Sequence, residues 1–198
     1  MEHFIFQPVD EDNCMAVSYD GRNKAVIIPH TYKGMKVVKL CDGLFAGHFE
    51  ITGILLPPEL KYIGSKVFSG CISLKNLRLP KNLEYAGEYA FAGSGLEIIE
   101  IPGSITEISS YAFKDCMSLN FAVIRKGVKK IKSFAFDGCS ALALVAVPSD
   151  TEISHDAFNN CSMLNPDLTK QFTSTCKCPA CTGAIKIRKP DSRTEAMP

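Results

Sequence analysis

The chain has 198 residues, of which 46% are hydrophobic and 22% are charged, values typical of a globular protein with a sizeable core. Its 22 basic and 21 acidic residues give a net charge of +1, which argues against a nucleic-acid-binding function and against attachment to an anionic membrane. No apolar run reaches the roughly 18 residues of a membrane helix, so we expect no membrane insertion.

The first 23 residues have the pattern of a β-hairpin. Two apolar segments, residues 4–6 and 15–17, are separated by the polar residues 10–13, which favour a turn. Such a hairpin would cap the first coil of a repeat array. The chain does not begin with a basic region followed by an apolar segment, so we expect a cytoplasmic protein. A surface or secreted location applies if a leader has been removed.

Phenylalanines then mark an internal repeat. They are separated by 23, 23, 22, 23 and 22 residues, which defines five full units and a partial sixth. A period of this length is the signature of a solenoid, in which stacked units bury a continuous core. The phenylalanines are Phe45, Phe68, Phe91, Phe113, Phe136 and Phe158.

Each unit contains a short strand followed by turns. In the second unit, leucines at positions 74, 77 and 79 form an L-x-x-L-x-L pattern, which predicts a strand with alternating faces. Pro80 ends that strand because proline cannot donate to a β-ladder. We expect residues 89–91 to form a short helical or 3₁₀ turn leading into the next unit.

The repeated string F-x-G-C-x-x-L-x-x-I-x-I-P-x-x-V-x-x-I-G-x-x-A-F resembles the BspA-like (Treponema-type) leucine-rich repeat. The resemblance covers roughly residues 24–165, beginning with the Ile27-Ile28-Pro29 step; in the units, Arg125 replaces a proline, and His48 and Ser94 replace the cysteine. It implies an α/β fold: a right-handed solenoid with a parallel sheet on one face and short helical or 3₁₀ turns and irregular segments opposite. It also implies recognition of a ligand or protein, often at bacterial or protist surfaces, and no enzyme activity.

We therefore expect a single repeat domain over residues 1–198. Residues 1–23 would be the N-terminal hairpin cap, residues 24–165 the leucine-rich repeats, and residues 166–198 a C-terminal cap and tail. Terminal units of a repeat array need caps with a polar outer side, which is why both ends depart from the repeat pattern.

The nine cysteines fall into three groups. Four occupy the same position in their units, where we expect a column of buried free thiols: Cys71, Cys116, Cys139 and Cys161. Cys14 and Cys41 are isolated and are expected to be small core residues. Cys176, Cys178 and Cys181 form a C-x-C-x-x-C run with three of the four ligands that a structural zinc site needs. A zinc site, a local disulfide and free thiols all stay open for these three, and we expect no cofactor.

The outward positions of the strands are the candidate binding surface, because leucine-rich repeats bind through the exposed face of the sheet. In the later units these positions are apolar, whereas a solvated sheet would carry lysine, glutamate, threonine and serine. We expect Arg78 and Glu100 to form an exposed ion pair. The predicted partner-binding residues are Leu55, Arg78, Ile98, Glu100, Phe121, Val123, Leu144 and Ala146. Three occupants of this face are possible: a protein partner, a second copy in a homodimer, or this chain's own residues 166–189.

No catalytic or nucleotide-binding motif accompanies the repeat. The strings H-E-x-x-H, G-x-x-x-x-G-K-[ST], G-x-G-x-x-G and G-x-S-x-G do not occur. The sequence predicts a non-enzymatic protein-protein interaction module that uses the exposed sheet face. The alternative is a cell-surface adhesive or structural repeat protein.

Overall fold

The computed structural model of the chain describes residues 3–164, which form a solenoid of short β-strands joined by tight turns. Each turn of the coil corresponds to one sequence repeat. Within the described residues the fourteen strands are β1 (Phe4–Pro8), β2 (Asn13–Tyr19), β3 (Ala25–Ile27), β4 (Thr31–Tyr32), β5 (Met35–Leu40), β6 (Gly53–Leu55), β7 (Tyr62–Ile63), β8 (Tyr85–Ala86), β9 (Ile98–Ile101), β10 (Glu107–Ile108), β11 (Phe121–Ile124), β12 (Lys130–Ile131), β13 (Leu144–Ala146) and β14 (Glu152–Ile153).

One side of the solenoid is a parallel sheet, which we call the front sheet. In it, β3 pairs with β6, and β11 lies between β9 and β13. Asn76 joins the two groups, because it forms a bridge with Gly53 on one side and with Ile98 on the other. The second repeat therefore contributes a single bridging residue where its leucines predicted a full strand. Its Leu74 and Leu77 still point into the core, where both are buried.

A second set of parallel strands, which we call the side sheet, lies farther along each repeat. It consists of β2, β5, β7 and β8, followed by the separate group β10, β12 and β14. β1 folds back on β2 as the antiparallel hairpin that the sequence pattern predicts. This hairpin extends the side sheet, so β3 remains an edge strand of the front sheet.

The third side of the solenoid consists of turns, and residues 3–164 contain no helix. The predicted helical or 3₁₀ turns are therefore absent, and this part of the chain is all-β rather than α/β. The reason is a left-handed backbone two residues before and two residues after the core phenylalanine of each of the five full repeats, as at Tyr89 (φ 57°) and Gly93 (φ 63°). Left-handed residues four positions apart interrupt any right-handed helix. Tyr89, Tyr111 and Phe134 all have left-handed backbones, and their rings stack on one another. The ring centroids of Tyr89 and Tyr111 are 4.9 Å apart, and those of Tyr111 and Phe134 are 5.3 Å apart. This stacking offsets part of the backbone strain.

The core is a continuous stack of phenylalanine rings. The rings of successive repeats lie 4.8 to 5.6 Å apart, centroid to centroid, and are nearly parallel. All six side chains are buried, with exposures of at most 7%. Burial of each ring contributes about 1.5–3 kcal/mol, and each ring pair adds about 0.5–1.5 kcal/mol. The phenylalanine period in the sequence is thus the period of the core.

The four repeat cysteines form the predicted column of buried free thiols. Each thiol donates a hydrogen bond to the carbonyl oxygen of the core phenylalanine one repeat earlier, at sulfur–oxygen distances of 3.0–3.1 Å. Burial raises the pKa of the Cys71 thiol to about 12, so this sulfur stays protonated and inert at neutral pH. The column therefore has a packing role. Ser94 occupies the same position as a small buried residue, and its hydroxyl oxygen lies 3.4 Å from Cys116 Sγ.

Ion pairs also connect neighbouring repeats. Most are exposed and contribute about 0–1 kcal/mol each. The exception is Asp137, which is 7% exposed and accepts hydrogen bonds from Lys114 Nζ (2.8 Å) and Asn160 Nδ2 (2.9 Å). Burial alone would raise the pKa of Asp137, but the hydrogen bonds from Lys114 and Asn160 outweigh it and hold that pKa below its usual value.

Candidate functional site: the front sheet

The first of the two predicted rows runs across the outer surface of the front sheet. Phe121 lies opposite Ile98 on one neighbouring strand and Leu144 on the other. Asn76 and Gly53 continue this row towards the N-terminal end through their bridges. The row follows from the 22–23-residue repeat, because each repeat places the same position on the same face of the sheet.

The second row lies two residues farther along each strand. Val123 is opposite Glu100 and Ala146, while Leu55 and Arg78 follow the bridged residues of their own repeats by two positions. The structure therefore brings all eight predicted partner-binding residues onto one surface. That they bind a partner stays a prediction.

Five of these residues form a contiguous surface that we call the apolar patch: Ile98, Phe121, Val123, Leu144 and Ala146. Ile98 is 56% exposed and Phe121 is 37% exposed, and the other three are half-buried. Their neighbours along each strand, such as Ala122 and Val145, are buried. The alternation matches a sheet with one side on the core and the other towards solvent. Here the solvent side carries apolar side chains.

The predicted ion pair between Arg78 and Glu100 is wrong. Glu100 Oε1 instead accepts a hydrogen bond from Nε of Arg125, at 2.7 Å. This hydrogen bond from Arg125 holds the pKa of Glu100 below its usual value. Arg125 occupies the position where other repeats carry proline, so its long side chain lies beside the neighbouring strand. Its backbone N–H also donates to the carbonyl oxygen of Ile101, a hydrogen bond that proline could not make.

The N-terminal end of the front sheet adds an apolar residue that the sequence analysis did not include. Ile27 on β3 lies opposite Leu55 on β6, and the two side chains are 69% and 58% exposed. Placing the Ile27-Ile28-Pro29 step in the same alignment as the later Ile-Pro steps would have found it. The second row therefore begins with an exposed pair of aliphatic residues.

A groove of about 440 Å³ crosses the front sheet between Leu55 and the following repeat. Gly53 leaves it open, since a Cβ atom at this position would have no neighbour within 4 Å. Asn76, Arg78 and Lys81 line the groove on the side of the next repeat. Lys81 was not among the predicted residues, because it follows the proline that ends the L-x-x-L-x-L pattern.

Groups that could carry out chemistry are sparse among residues 3–164. Residues 3–164 hold no group of three or more histidine, cysteine, aspartate or glutamate side chains that could bind a metal ion. They also contain no helix long and apolar enough to cross a membrane. His48 Nδ1 lies 2.9 Å from Glu50 Oε1, and the His48 ring packs on Tyr19. The candidate zinc ligands Cys176, Cys178 and Cys181 and the candidate covering residues 166–189 lie outside the described residues.

These features define a leucine-rich-repeat solenoid with an exposed parallel sheet. The chain belongs to the BspA type leucine rich repeat family, whose repeat profile matches residues 38–165 in 6 copies. The resemblance inferred from the repeat string is thus confirmed.

Solved structures of bacterial repeat proteins have the same fold. A Treponema pallidum leucine rich repeat protein is 24% identical, with a TM-score of 0.70 over 88% of this chain and 95% of that one. A Bacteroides ovatus leucine-rich repeat protein is 25% identical, with a TM-score of 0.66 over 83% of this chain and 51% of that one. A leucine rich cell surface protein from Faecalibacterium prausnitzii is 22% identical, with a TM-score of 0.62 over 82% and 52%. The chain spans about half the length of the last two, and no curated protein sequence matches it.

Proposed function

We propose that this chain is a non-enzymatic protein-interaction module that binds a protein partner through the front sheet. The observation that carries the proposal is the row Ile98, Phe121 and Leu144, three apolar side chains adjacent on the solvent side of parallel strands. Contiguous exposed apolar residues on a monomer mark interaction surfaces. Phe121 lies at the centre of the row, and aromatic side chains at the centre of an interface commonly contribute much of its binding energy.

The size of the front sheet limits how the partner binds. From β3 to β13 the sheet has six strand positions, counting the bridging residue Asn76, at spacings of about 4.8 Å. Each strand has about four residues at about 3.3 Å per residue. The sheet is therefore roughly 24 Å long and 13 Å wide. This area of roughly 300 Å² is smaller than the about 800 Å² that each partner buries in a standard interface. A stable complex must therefore cover the whole sheet, including its N-terminal groove, together with the flanking turns. A small transient complex could use the apolar patch alone.

The replacement Phe121→Asp tests this function, with Tyr85→Asp as the matched control. Tyr85 is also an exposed aromatic residue on a strand, but it lies on the side sheet. Both variants are compared with the wild type by affinity capture from the source cells and by light scattering after size exclusion. We expect Phe121→Asp to lose the partner or the dimer while Tyr85→Asp keeps it. If Phe121→Asp folds and keeps every partner and its oligomeric state, the front sheet is not the binding surface.

A homodimer is one form of this function. In it, the apolar patch of one copy would cover the patch of a second copy through a two-fold axis. Light scattering separates this form from binding to a different protein. A dimer that Phe121→Asp converts to monomer supports it, and a wild-type monomer at high concentration excludes it.

We propose a cytoplasmic location, for which the six free cysteines of the described residues are the supporting observation. The second candidate function is cell-surface adhesion. It is favoured by the likeness in fold to the Faecalibacterium protein, which is described as a cell surface protein. Labelling intact source cells with a membrane-impermeant amine reagent distinguishes the two. Labelled protein would favour adhesion, and labelling only after lysis would favour the cytoplasmic module.

A further inference from the structure

The groove at the N-terminal end of the front sheet combines cationic and apolar side chains. Leu55 forms one wall, and Arg78 and Lys81 stand on the side of the next repeat. Thr52 and Asn76 supply polar groups between them, while the lining includes no aspartate or glutamate. The groove is therefore positively charged and has an apolar wall.

Neither cation of the groove forms an ion pair within residues 3–164, although the charge of Lys81 acts at longer range on Glu100. Seven of the eleven lysines and arginines in residues 45–164 form ion pairs with a carboxylate of a neighbouring repeat. Among the ion pairs of residues 3–164, none involves Arg78 or Lys81. The acidic neighbour of Arg78 in its row is Glu100, and Arg125 already holds that carboxylate. The positive charge of the groove is thus available to a ligand.

We propose that this groove binds an aspartate or glutamate side chain in an extended, partly apolar segment of the protein partner. A guanidinium matches a carboxylate through two parallel hydrogen bonds, and Lys81 adds a second cation beside it. An apolar residue next to the acid would lie against Leu55, in the space that Gly53 leaves open. The inference rests on the proposed function, because Gly53, Asn76 and Ile98 share one row and a single partner segment would cross the groove and the apolar patch.

Two other occupants fit the charge less well. Residues 165–198 of this chain contain six basic and three acidic residues, so their net charge of +3 has the same sign as the groove. A nucleic acid would need a row of several cations along its phosphates, whereas the groove has only two and the chain a net charge of +1.

Selection of a random 12-residue peptide library on the full chain tests the proposal. The wild type is compared with the double variant Arg78→Gln/Lys81→Gln and with Lys126→Gln. Lys126 is the matched control, because it too is exposed and without an ion pair among the described residues, but it lies outside the groove. A selected peptide is then synthesised with its acid and with the corresponding amide, and both forms are titrated against all three proteins.

We expect peptides selected on the wild type to be enriched in aspartate or glutamate flanked by apolar residues. The double variant should bind such a peptide about tenfold to a hundredfold more weakly, and Lys126→Gln should bind it unchanged. On the wild type, the amide form of the peptide should bind more weakly than the acid form by the same tenfold to hundredfold factor. On the double variant, the acid and amide forms should bind with equal affinity. Raised salt should weaken only the pairing of the acid with the wild-type groove.

The proposal is overturned if no peptide is selected, if acids are not enriched, or if the double variant binds as well as the wild type. A Phe121→Asp arm separates this site from the proposed function. In one outcome, peptide binding depends on Arg78 and Lys81 while Phe121→Asp keeps both the peptide and every partner. That result would refute partner binding by the apolar patch, and the groove would stand as a binding site. Partner binding that depends on Phe121 but not on Arg78 or Lys81 would refute the groove alone.

Discussion

Replacing Phe113 with alanine would remove one ring from the middle of the phenylalanine stack. Its ring lies 4.8 Å from that of Phe91 and 4.9 Å from that of Phe136, and it is 2% exposed. The substitution therefore affects a contact to both neighbouring repeats and leaves a cavity between them.

The expected loss follows from burial and from the cavity. Burial of the ring contributes about 1.5–3 kcal/mol. A residual cavity of roughly 100 Å³ would cost about 2.4 kcal/mol, at about 24 cal/mol per Å³. Partial collapse of the flanking rings recovers some of this, so we expect Phe113→Ala to lower the free energy of unfolding by about 3–5 kcal/mol. A loss of that size approaches the whole stability of a small domain and could unfold the array.

Urea unfolding followed by far-ultraviolet circular dichroism measures this loss, since the chain has no tryptophan to report by fluorescence. Phe49→Ala is the matched control, because Phe49 is a phenylalanine of the same repeat region that is 63% exposed. We expect the control to change stability by less than about 0.5 kcal/mol. A loss below about 1 kcal/mol for Phe113→Ala, or one equal to that of the control, would refute the stacked core as the main source of stability.

Three further predictions concern the backbone, the thiols and the buried carboxylate. Gly95→Ala should lower the free energy of unfolding by about 1–3 kcal/mol, because a Cβ atom there would clash with the backbone oxygen of Ile72. Gly53→Ala is the control, since a Cβ atom there would have no neighbour within 4 Å. In the same urea titration this control should leave stability nearly unchanged. Peptide mapping after treatment with iodoacetamide should find Cys71 unmodified in the native protein and modified in urea; rapid modification without denaturant would contradict its burial. Asp137 has a pKa below its ordinary value of 3.8, so its contribution is complete above that value and is lost as the pH falls through the folded-state pKa. The stability difference between wild type and Asp137→Asn should thus be present at pH 7 and vanish in acid, and a difference that grew in acid would reverse the sign of the argument.

The repeat period was enough to predict the core and the exposed rows. A fixed interval places equivalent residues at equivalent positions of successive coils, so Phe121 could be assigned opposite Ile98 and Leu144 without coordinates. The cysteine column followed from the same alignment. The exposed rows and the cysteine column depend only on which sequence positions are equivalent between repeats, and the repeat period determines those positions directly.

Features that depend on long side chains or on the backbone between strands were less predictable. Arg78 and Glu100 are row neighbours, but Arg125, at a position where the repeat usually has proline, reaches Glu100 first. The turns looked helical because Tyr89 and its neighbours are compatible with a helix by composition. Their left-handed conformations reflect the packing of each repeat on the next, which outweighs local preference.

Each repeat contributes one strand position to the front sheet, so the length of the exposed surface depends on the number of repeats. Adding or removing one unit of about 23 residues changes the length of the surface by about 4.8 Å and leaves its width unchanged. The core rings, thiol hydrogen bonds and ion pairs join only adjacent units, so an inserted unit would bring its own connections. A lineage could therefore lengthen the surface between the groove and the apolar patch without rebuilding either end. The distance between an acidic and an apolar anchor on the partner would then be encoded simply in the number of repeats.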